Sequence, residues 1–129
     1  MVILNKIHHI AIICSDYNKT RDFYVNKLGL KIAAEVYRKE RNSWKLDLSV
    51  GDKYQIEIFS FTDPPKRVSR PEATGLRHLA FEVENIQEAV EELKNSGITC
   101  EPVRIDEFTG KKFTFFSDPD ELPLEIYEG

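Results

Sequence analysis

Two histidines and two glutamates occur in a repeated arrangement that could bind a metal ion. His9 stands 48 residues before Glu57, and His78 stands 47 residues before Glu125. Each histidine lies in an apolar segment two residues before an alanine, and each glutamate lies between two aliphatic residues. Imidazole nitrogen and carboxylate oxygen are both common ligands of divalent transition metals. The two copies therefore predict one four-ligand site to which each half of the chain contributes two ligands.

A set of two histidines and two glutamates has a definite chemical preference. A carboxylate buried without a partner is costly or keeps its proton, and this cost disappears when carboxylates and neutral imidazoles converge on a divalent cation. Such a mixture of ligands suits Ni, Zn, Co, Fe or Mn and disfavours Ca. Four protein ligands leave a six-coordinate metal two positions for water or a chelating substrate, which is typical of catalytic rather than structural sites.

Each of these residues has a simpler interpretation when it is taken alone. A single strand histidine is usually hydrogen-bonded in the core or at the surface, and a glutamate between aliphatic residues usually faces solvent. The recurrence of both residue types at matching spacing favours the metal site. His8 has no counterpart, because Arg77 occupies the equivalent position in the second half, and we interpret His8 as structural.

The alternation of side chains along a strand predicts which way each candidate ligand points. In both copies the histidine shares a face with the alanine two residues on, which leaves space beside the imidazole. Glu57 is expected to point away from Tyr54 and Ile58, and Glu125 away from its aliphatic neighbours. All four candidate ligands are therefore expected on the face of their strands opposite the helices.

The surrounding pattern predicts the order β-α-β-β-β twice. The expected elements of the first half are a strand at 7–13, a helix at about 17–28 that Asp16 caps and Gly29 ends, and strands at 30–36, 44–50 and 54–61. Those of the second half are a strand at 76–83, a helix that follows the cap Asn85 and ends at Gly97, and strands at about 99–105, 112–116 and 122–127. The caps follow the usual preference for Asp or Asn before a helix and Gly after it.

Length and composition are typical of one globular domain, and we expect residues 1–129 to form it. One module covers about 1–61 and a second about 75–129, and the linker at 62–74 contains three prolines. The net charge of −4 gives no electrostatic reason to expect a nucleic acid or an anionic membrane as partner. No apolar run approaches the roughly 20 residues that span a bilayer. The two distant cysteines, Cys14 and Cys100, favour packing roles and a cytosolic protein with reduced thiols.

These residues resemble the vicinal oxygen chelate superfamily, which includes glyoxalase I, fosfomycin-resistance thiol transferases, methylmalonyl-CoA epimerase and extradiol dioxygenases. The matching segments are His9-Ile-Ala-Ile-Ile-Cys-Ser-Asp16, residues 21–24 and 28–30, Gly75-Leu-Arg-His78-Leu-Ala-Phe81, and residues 116–126. One turn departs from the family pattern Asp-Pro-Asp-Gly-Asn, because Glu121 and Leu122 follow Asp120. The resemblance implies an α+β fold in which two βαβββ modules form an eight-stranded cupped sheet.

The order His, Glu, His, Glu is similar to that of glyoxalase I. This resemblance implies a metal-dependent lyase or isomerase that acts on the thiol hemithioacetal of a 2-oxoaldehyde, with a low-molecular-weight thiol as co-substrate and a homodimer as the assembly. One ligand glutamate would move the proton between adjacent carbons, and we favour Glu125 with Glu57 as the alternative. The basic residues that could hold the carboxylates of the thiol, although a solvated strand and turn explains them equally well, are Arg38, Lys39, Arg41 and Lys45, above all Arg38 and Arg41.

Two other functions are known for this fold. One is a thiol transferase or other transferase that detoxifies an electrophile. The fosfomycin enzymes of this kind typically use three of the four ligand positions, which Glu57 argues against. The other is a non-catalytic protein that sequesters a drug or small ligand, and such binders generally lack the metal ligands. The four candidate ligands therefore favour the lyase.

Overall fold

The chain contains the order β-α-β-β-β twice, as the sequence repeat predicts. The computed structural model describes residues 1–129, which divide into two units, Met1–Pro65 and Lys66–Gly129, at a point inside the predicted linker. The strands of the first unit are β1 (Ile10–Cys14), β2 (Lys31–Arg38), β3 (Ser43–Val50) and β4 (Lys53–Ser60). Those of the second unit are β5 (Leu79–Val83), β6 (Arg104–Ile105), β7 (Lys112–Ser117) and β8 (Pro123–Glu128). Helix α1 (Tyr17–Arg21) follows β1, and α2 (Ile86–Asn95) follows β5.

Each unit builds one four-stranded mixed sheet, and the strand orders are β1-β4-β3-β2 and β5-β8-β7-β6. β1 is parallel to β4 and β5 is parallel to β8, whereas the other neighbours are antiparallel. One face of each sheet is apolar and buried, and its largest members are Leu46, Leu48, Ile56 and Ile58 in the first unit and Phe116, Leu124 and Ile126 in the second. Alternation places the residues between them on the opposite face, where the candidate ligands lie. The α+β class is confirmed.

Both helices begin and end where the sequence predicts. The side chains of Asp16 and Asn85 each accept a hydrogen bond from the backbone N–H three residues on, which satisfies a donor that the helix leaves open. Gly29 and Gly97 follow the helices with φ of 77° and 84°, in the left-handed region that glycine adopts at low cost. The first helix differs in one respect, because it continues from α1 as a π-helix over Asp22–Lys27.

The strands that carry the histidines begin later than the sequence predicts. β1 starts at Ile10 rather than at residue 7, and β5 starts at Leu79 rather than at residue 76. Each pairs with only one neighbouring strand, and the first partners on β4 and β8 are Ile56 and Leu124. The residues before Ile10 and Leu79 are not paired in either ladder. Each candidate histidine therefore stands immediately before the first paired residue of its strand.

The predicted strand at 99–105 was wrong over most of its length, because β6 contains only Arg104 and Ile105. Pro102 lacks the N–H that a continuous ladder with β7 needs. Isolated backbone hydrogen bonds hold the segment before Pro102, and the N–H of Glu101 donates to the carbonyl of Phe115 at 2.9 Å.

None of the helical segments has the length and apolar character required to cross a bilayer.

Candidate functional site

The first unit brings His9 and Glu57 together as a pair. Nε2 of His9 lies 3.5 Å from Oε2 of Glu57. Ala11 is the in-register partner of Glu57, so the residue two positions after His9 lies beside the glutamate. Glu57 is only 8% exposed, although its side chain is polar, while His9 is exposed. A nearly buried carboxylate beside an imidazole nitrogen is a suitable half-site for a cation.

The second unit repeats this arrangement with His78 and Glu125. Nε2 of His78 lies 3.3 Å from Oε1 of Glu125, and Ala80 is the in-register partner of that glutamate. Phe115 is the partner of Glu125 on the other side, and its ring meets the imidazole of His78 edge-on at 5.1 Å between centroids. The histidine–alanine–glutamate relationship is therefore the same in both units.

The donor chemistry of each pair fits a divalent transition metal. Both pairs combine one imidazole nitrogen with one carboxylate oxygen on the face opposite the buried core, and both carboxylates are largely shielded from water. The structure contains no group of three or more His, Cys, Asp or Glu side chains that could hold a metal, so the candidate ligands are present as two pairs. The structure thus shows the two pairs, and the binding of one shared ion by His9, Glu57, His78 and Glu125 stays a prediction.

The two glutamates have different surroundings. The hydroxyl of Tyr54 donates a hydrogen bond to Oε2 of Glu57. Nζ of Lys45 lies 3.9 Å from the same oxygen and donates to Oδ1 of Asp47 at 2.6 Å, and Asp47 is the in-register partner of Glu57 on β3. A hydroxyl and an ammonium group therefore hold the carboxylate of Glu57 in one orientation.

The contact between Tyr54 and Glu57 contradicts the prediction that these side chains face opposite ways. The strand alternation is interrupted, because Leu48 pairs with Ile56 whereas the next residue, Ser49, pairs with Tyr54. Gln55 is the extra residue on β4, and such a bulge re-aims the side chain next to it. Tyr54 is thereby brought to the face that carries Glu57, and no residue pattern in the sequence reveals this.

Glu125 has an apolar neighbour where Glu57 has a charged pair. Phe115 takes the register position that Asp47 has in the first unit, and Leu122 stands three residues before Glu125 as Tyr54 does before Glu57. The carboxylate of Glu125 forms an ion pair with the imidazole of His78. The carboxylate of Glu125 is shielded from water yet held by no hydroxyl or ammonium group.

His8 contacts His9, which sequence reasoning missed. Its Nδ1 lies 2.8 Å from Nδ1 of His9, and its ring meets that of Tyr54 at 5.8 Å between centroids. His8 is exposed, so it is not part of the core. The absence of a second copy of this histidine in the repeat removed the signal that identified the other ligands.

The basic residues that the sequence suggests for substrate binding do not all lie beside the first His–Glu pair. The guanidinium of Arg38 lies 4.7 Å above the ring of Phe59, and Nζ of Lys45 lies 5.9 Å from the same ring. Phe59 is two residues after Glu57 and shares its face of β4. Lys39 and Arg41 lie in the 3₁₀ turn after β2. Arg38 and Lys45 are therefore the basic residues beside the first pair.

A pocket of about 560 Å³ adjoins His78 in the second unit, and sequence reasoning did not predict it. Phe115 and Arg104 line it, and the guanidinium of Arg104 lies 5.4 Å from the Phe115 ring. This volume is in the range typical of small-molecule sites. Neither cysteine forms a disulfide, and burial raises the pKa of Cys100, which disfavours a nucleophilic thiolate there.

The fold and the repeated pairs define a class of protein. The Glyoxalase/Bleomycin resistance protein/Dioxygenase superfamily matches residues 6–126, and the chain belongs to this superfamily. The uncharacterized protein YwkD of Bacillus subtilis is 61% identical over 98% of this chain and 99% of its own length. The crystal structure of a glyoxalase family protein from Enterococcus faecalis has a TM-score of 0.88 and 54% identity, and covers 95% of this chain and 97% of that one.

More distant similarity extends to a relative named for its reaction. The mitochondrial methylmalonyl-CoA epimerase of Bos taurus is 30% identical over 74% of this chain and 56% of its own length. The superfamily named by the sequence resemblance is therefore confirmed, and it includes enzymes that act on different substrates.

Proposed function

We propose that this protein is a metal-dependent enzyme of the glyoxalase I type, a lyase that moves a proton between adjacent carbons of a thiol hemithioacetal. The observation that carries the proposal is the equal construction of the two His–Glu pairs, with Nε2 to oxygen distances of 3.5 and 3.3 Å. We further propose that both pairs bind one divalent transition metal, through His9, Glu57, His78 and Glu125.

His9, Glu57, His78 and Glu125 would hold the metal, whose charge would polarise two neighbouring oxygens of the substrate and so make the adjacent C–H more acidic. Glu125 accepts that proton and returns it to the neighbouring carbon, while the hydroxyl proton passes to the former ketone oxygen, so the thiohemiacetal carbon becomes the thioester carbonyl and the ketone becomes an alcohol. Glu57 keeps its orientation through Tyr54 and Lys45. The difference in surroundings therefore supports the assignment of Glu125 as the base and Glu57 as the fixed ligand.

The surroundings of Arg38 favour a substrate or thiol that carries a carboxylate. Its Nη2 donates to Oγ of Ser43 at 2.7 Å, whereas its Nε is buried and has no hydrogen-bond partner. The guanidinium lies above Phe59 on the face of Glu57, and a buried donor without a partner is costly unless a ligand satisfies it. We assign Arg38, rather than Arg41, to substrate binding.

Arg38→Met is expected to raise KM roughly 10- to 100-fold with a small change in kcat, because a charge-assisted hydrogen bond to the substrate contributes about 1.5–3 kcal/mol. Steady-state kinetics on the preferred substrate measures this. Lys31→Met, an exposed charge removal on the same strand, serves as control. A comparable rise in KM for Arg41→Met, with Arg38→Met unchanged, would contradict the assignment.

A second candidate is an epimerase that removes and returns a proton at the same carbon. The similarity to methylmalonyl-CoA epimerase favours it, and the same base and metal ligands would serve it. A thiol transferase and a ligand-sequestering protein remain the alternatives outside proton transfer. Neither makes use of a ligand carboxylate that also acts as a base.

The experiment is a metal-dependent assay in heavy water. Protein stripped with chelator and reloaded with Ni, Zn, Co or Mn is given the hemithioacetals of a 2-oxoaldehyde with several low-molecular-weight thiols. We expect conversion to the 2-hydroxy thioester only with metal. Metal-dependent deuterium exchange into a 2-methyl thioester, without hemithioacetal conversion, would favour the epimerase. Neither reaction with any metal would contradict proton transfer altogether.

A further inference from the structure

The contact between His8 and His9 has a chemical consequence for metal binding. Their Nδ1 atoms are 2.8 Å apart, and their rings are nearly perpendicular at 83°. The ring of Tyr54 stacks on that of His9 at an interplanar angle of 17° and meets that of His8 edge-on. The His9 imidazole is therefore confined by an aromatic neighbour on one side and by a nitrogen atom at hydrogen-bond distance on another.

Two ring nitrogens at this distance share one proton, so one of them donates and the other accepts. If His9 donates from Nδ1, its Nε2 carries a free lone pair directed toward Glu57. If His8 donates instead, a neutral His9 carries its proton on Nε2 and that atom is not available to a metal. The direction of this hydrogen bond therefore decides whether His9 can act as a ligand.

We propose that His8 accepts the Nδ1 proton of His9 and so holds His9 in the tautomer and ring orientation that bind a metal through Nε2. His8 is a positioning residue and not a ligand. Metal-bound histidines usually donate their other ring N–H to an acceptor that fixes the tautomer, and here the acceptor is an imidazole nitrogen. This inference rests on the proposed metal site.

The second unit offers a natural comparison, because His78 lacks such an acceptor. Arg77 stands at the equivalent position, and a guanidinium has no lone pair to accept a hydrogen bond. Arg77 is instead paired with Glu72, with Nε to Oε1 at 2.5 Å. The positioning role is therefore specific to His9.

Zinc affinity of the full chain, measured by competition with a chromogenic chelator, tests the inference. We expect His8→Phe, which keeps a ring against Tyr54 but removes the acceptor, to weaken zinc binding about 10- to 100-fold. His8→Gln restores an acceptor oxygen and should bind within a few-fold of the unmodified protein. Arg77→Gln removes only a charge that acts on Glu125 at a distance and should change zinc affinity by no more than a few-fold.

Nitrogen NMR of the zinc-loaded protein with ¹⁵N-labelled histidine gives a readout that a merely structural role would not change. We expect the His9 signal of a neutral ring protonated at Nδ1, with its Nε2 shifted by zinc. The role of His8 would be overturned, and the proposed function left intact, by either of two results. One is equal zinc affinity of His8→Phe and the unmodified protein, and the other is an equal loss of affinity in His8→Phe and His8→Gln. Failure of the unmodified protein to bind zinc, nickel, cobalt or manganese would overturn the proposed function together with it.

Discussion

Glu125→Gln is expected to lower kcat by about 10²- to 10⁴-fold while the metal stays bound, because loss of a general base typically has an effect of this size. The glutamine keeps an oxygen that can act as a ligand but cannot accept a proton from carbon. The surroundings of Glu125 suit a base, since its carboxylate lies beside Phe115 and pairs with His78.

Glu57→Gln should act mainly on metal affinity, because Tyr54 and Lys45 orient this carboxylate as a ligand. Steady-state kinetics at saturating metal, with metal content measured on the same samples, separates the two effects. Glu91→Gln, which removes an exposed carboxylate of α2, is the matched control and should change neither. A larger loss of kcat in metal-loaded Glu57→Gln than in metal-loaded Glu125→Gln would exchange the two roles.

His78→Ala is expected to weaken metal binding by more than about 100-fold, beyond the 10- to 100-fold that loss of an outer-shell partner usually causes. If one ion needs both pairs, removal of a ligand from the second unit also releases the ion from His9 and Glu57. Metal content after dialysis should therefore fall to near zero rather than to one half.

Glu57→Ala, in the first unit, should have the same consequence as His78→Ala, and circular dichroism should show that both variants are folded. Calorimetric titration with zinc or nickel measures both affinities. Retention of half of the metal in either variant would mean that each pair binds its own ion. This result would contradict a shared site without affecting the assignment of the superfamily.

Most of the fold could be predicted from local features that act independently of distant contacts. Asp16 and Asn85 cap their helices through their own side chains, and Gly29 and Gly97 end them through their backbone conformation. The repeat then indicated the order of helices and strands along the chain and the two His–Glu relationships. In each unit the alanine two residues after the histidine lies beside the glutamate, a register that the structure adds to the sequence repeat.

The neighbours of the ligands could not be predicted, because they depend on departures from regular structure. The bulge at Gln55 brings Tyr54 to Glu57, although simple alternation places them on opposite faces. Pro102 shortens β6 through a missing donor rather than through any apolar pattern. The repeat gives no signal for His8, because this histidine has no counterpart in the second half, yet its Nδ1 lies at hydrogen-bond distance from that of His9.

The turn before β8 shows how a departure from the family pattern is tolerated. Glu121 has a φ of 66°, a left-handed conformation that the usual glycine adopts more easily. The carbonyl of Glu121 accepts a hydrogen bond from the hydroxyl of Ser69 at 2.7 Å, and the N–H of Leu122 donates to Asp118 at 2.9 Å. These bonds support the turn, and β8 follows with Glu125 in register.

The number of divalent metal ions held per chain is the most direct test of the central claim. Untagged protein would be purified, loaded with nickel or zinc, dialysed, and analysed for metal by mass spectrometry against protein concentration. We expect one tightly held ion per chain, because two His–Glu pairs per ion give this ratio whether the pairs belong to one chain or to two. Two ions per chain, or none with nickel, zinc, cobalt or manganese, would contradict a site made by His9, Glu57, His78 and Glu125 together.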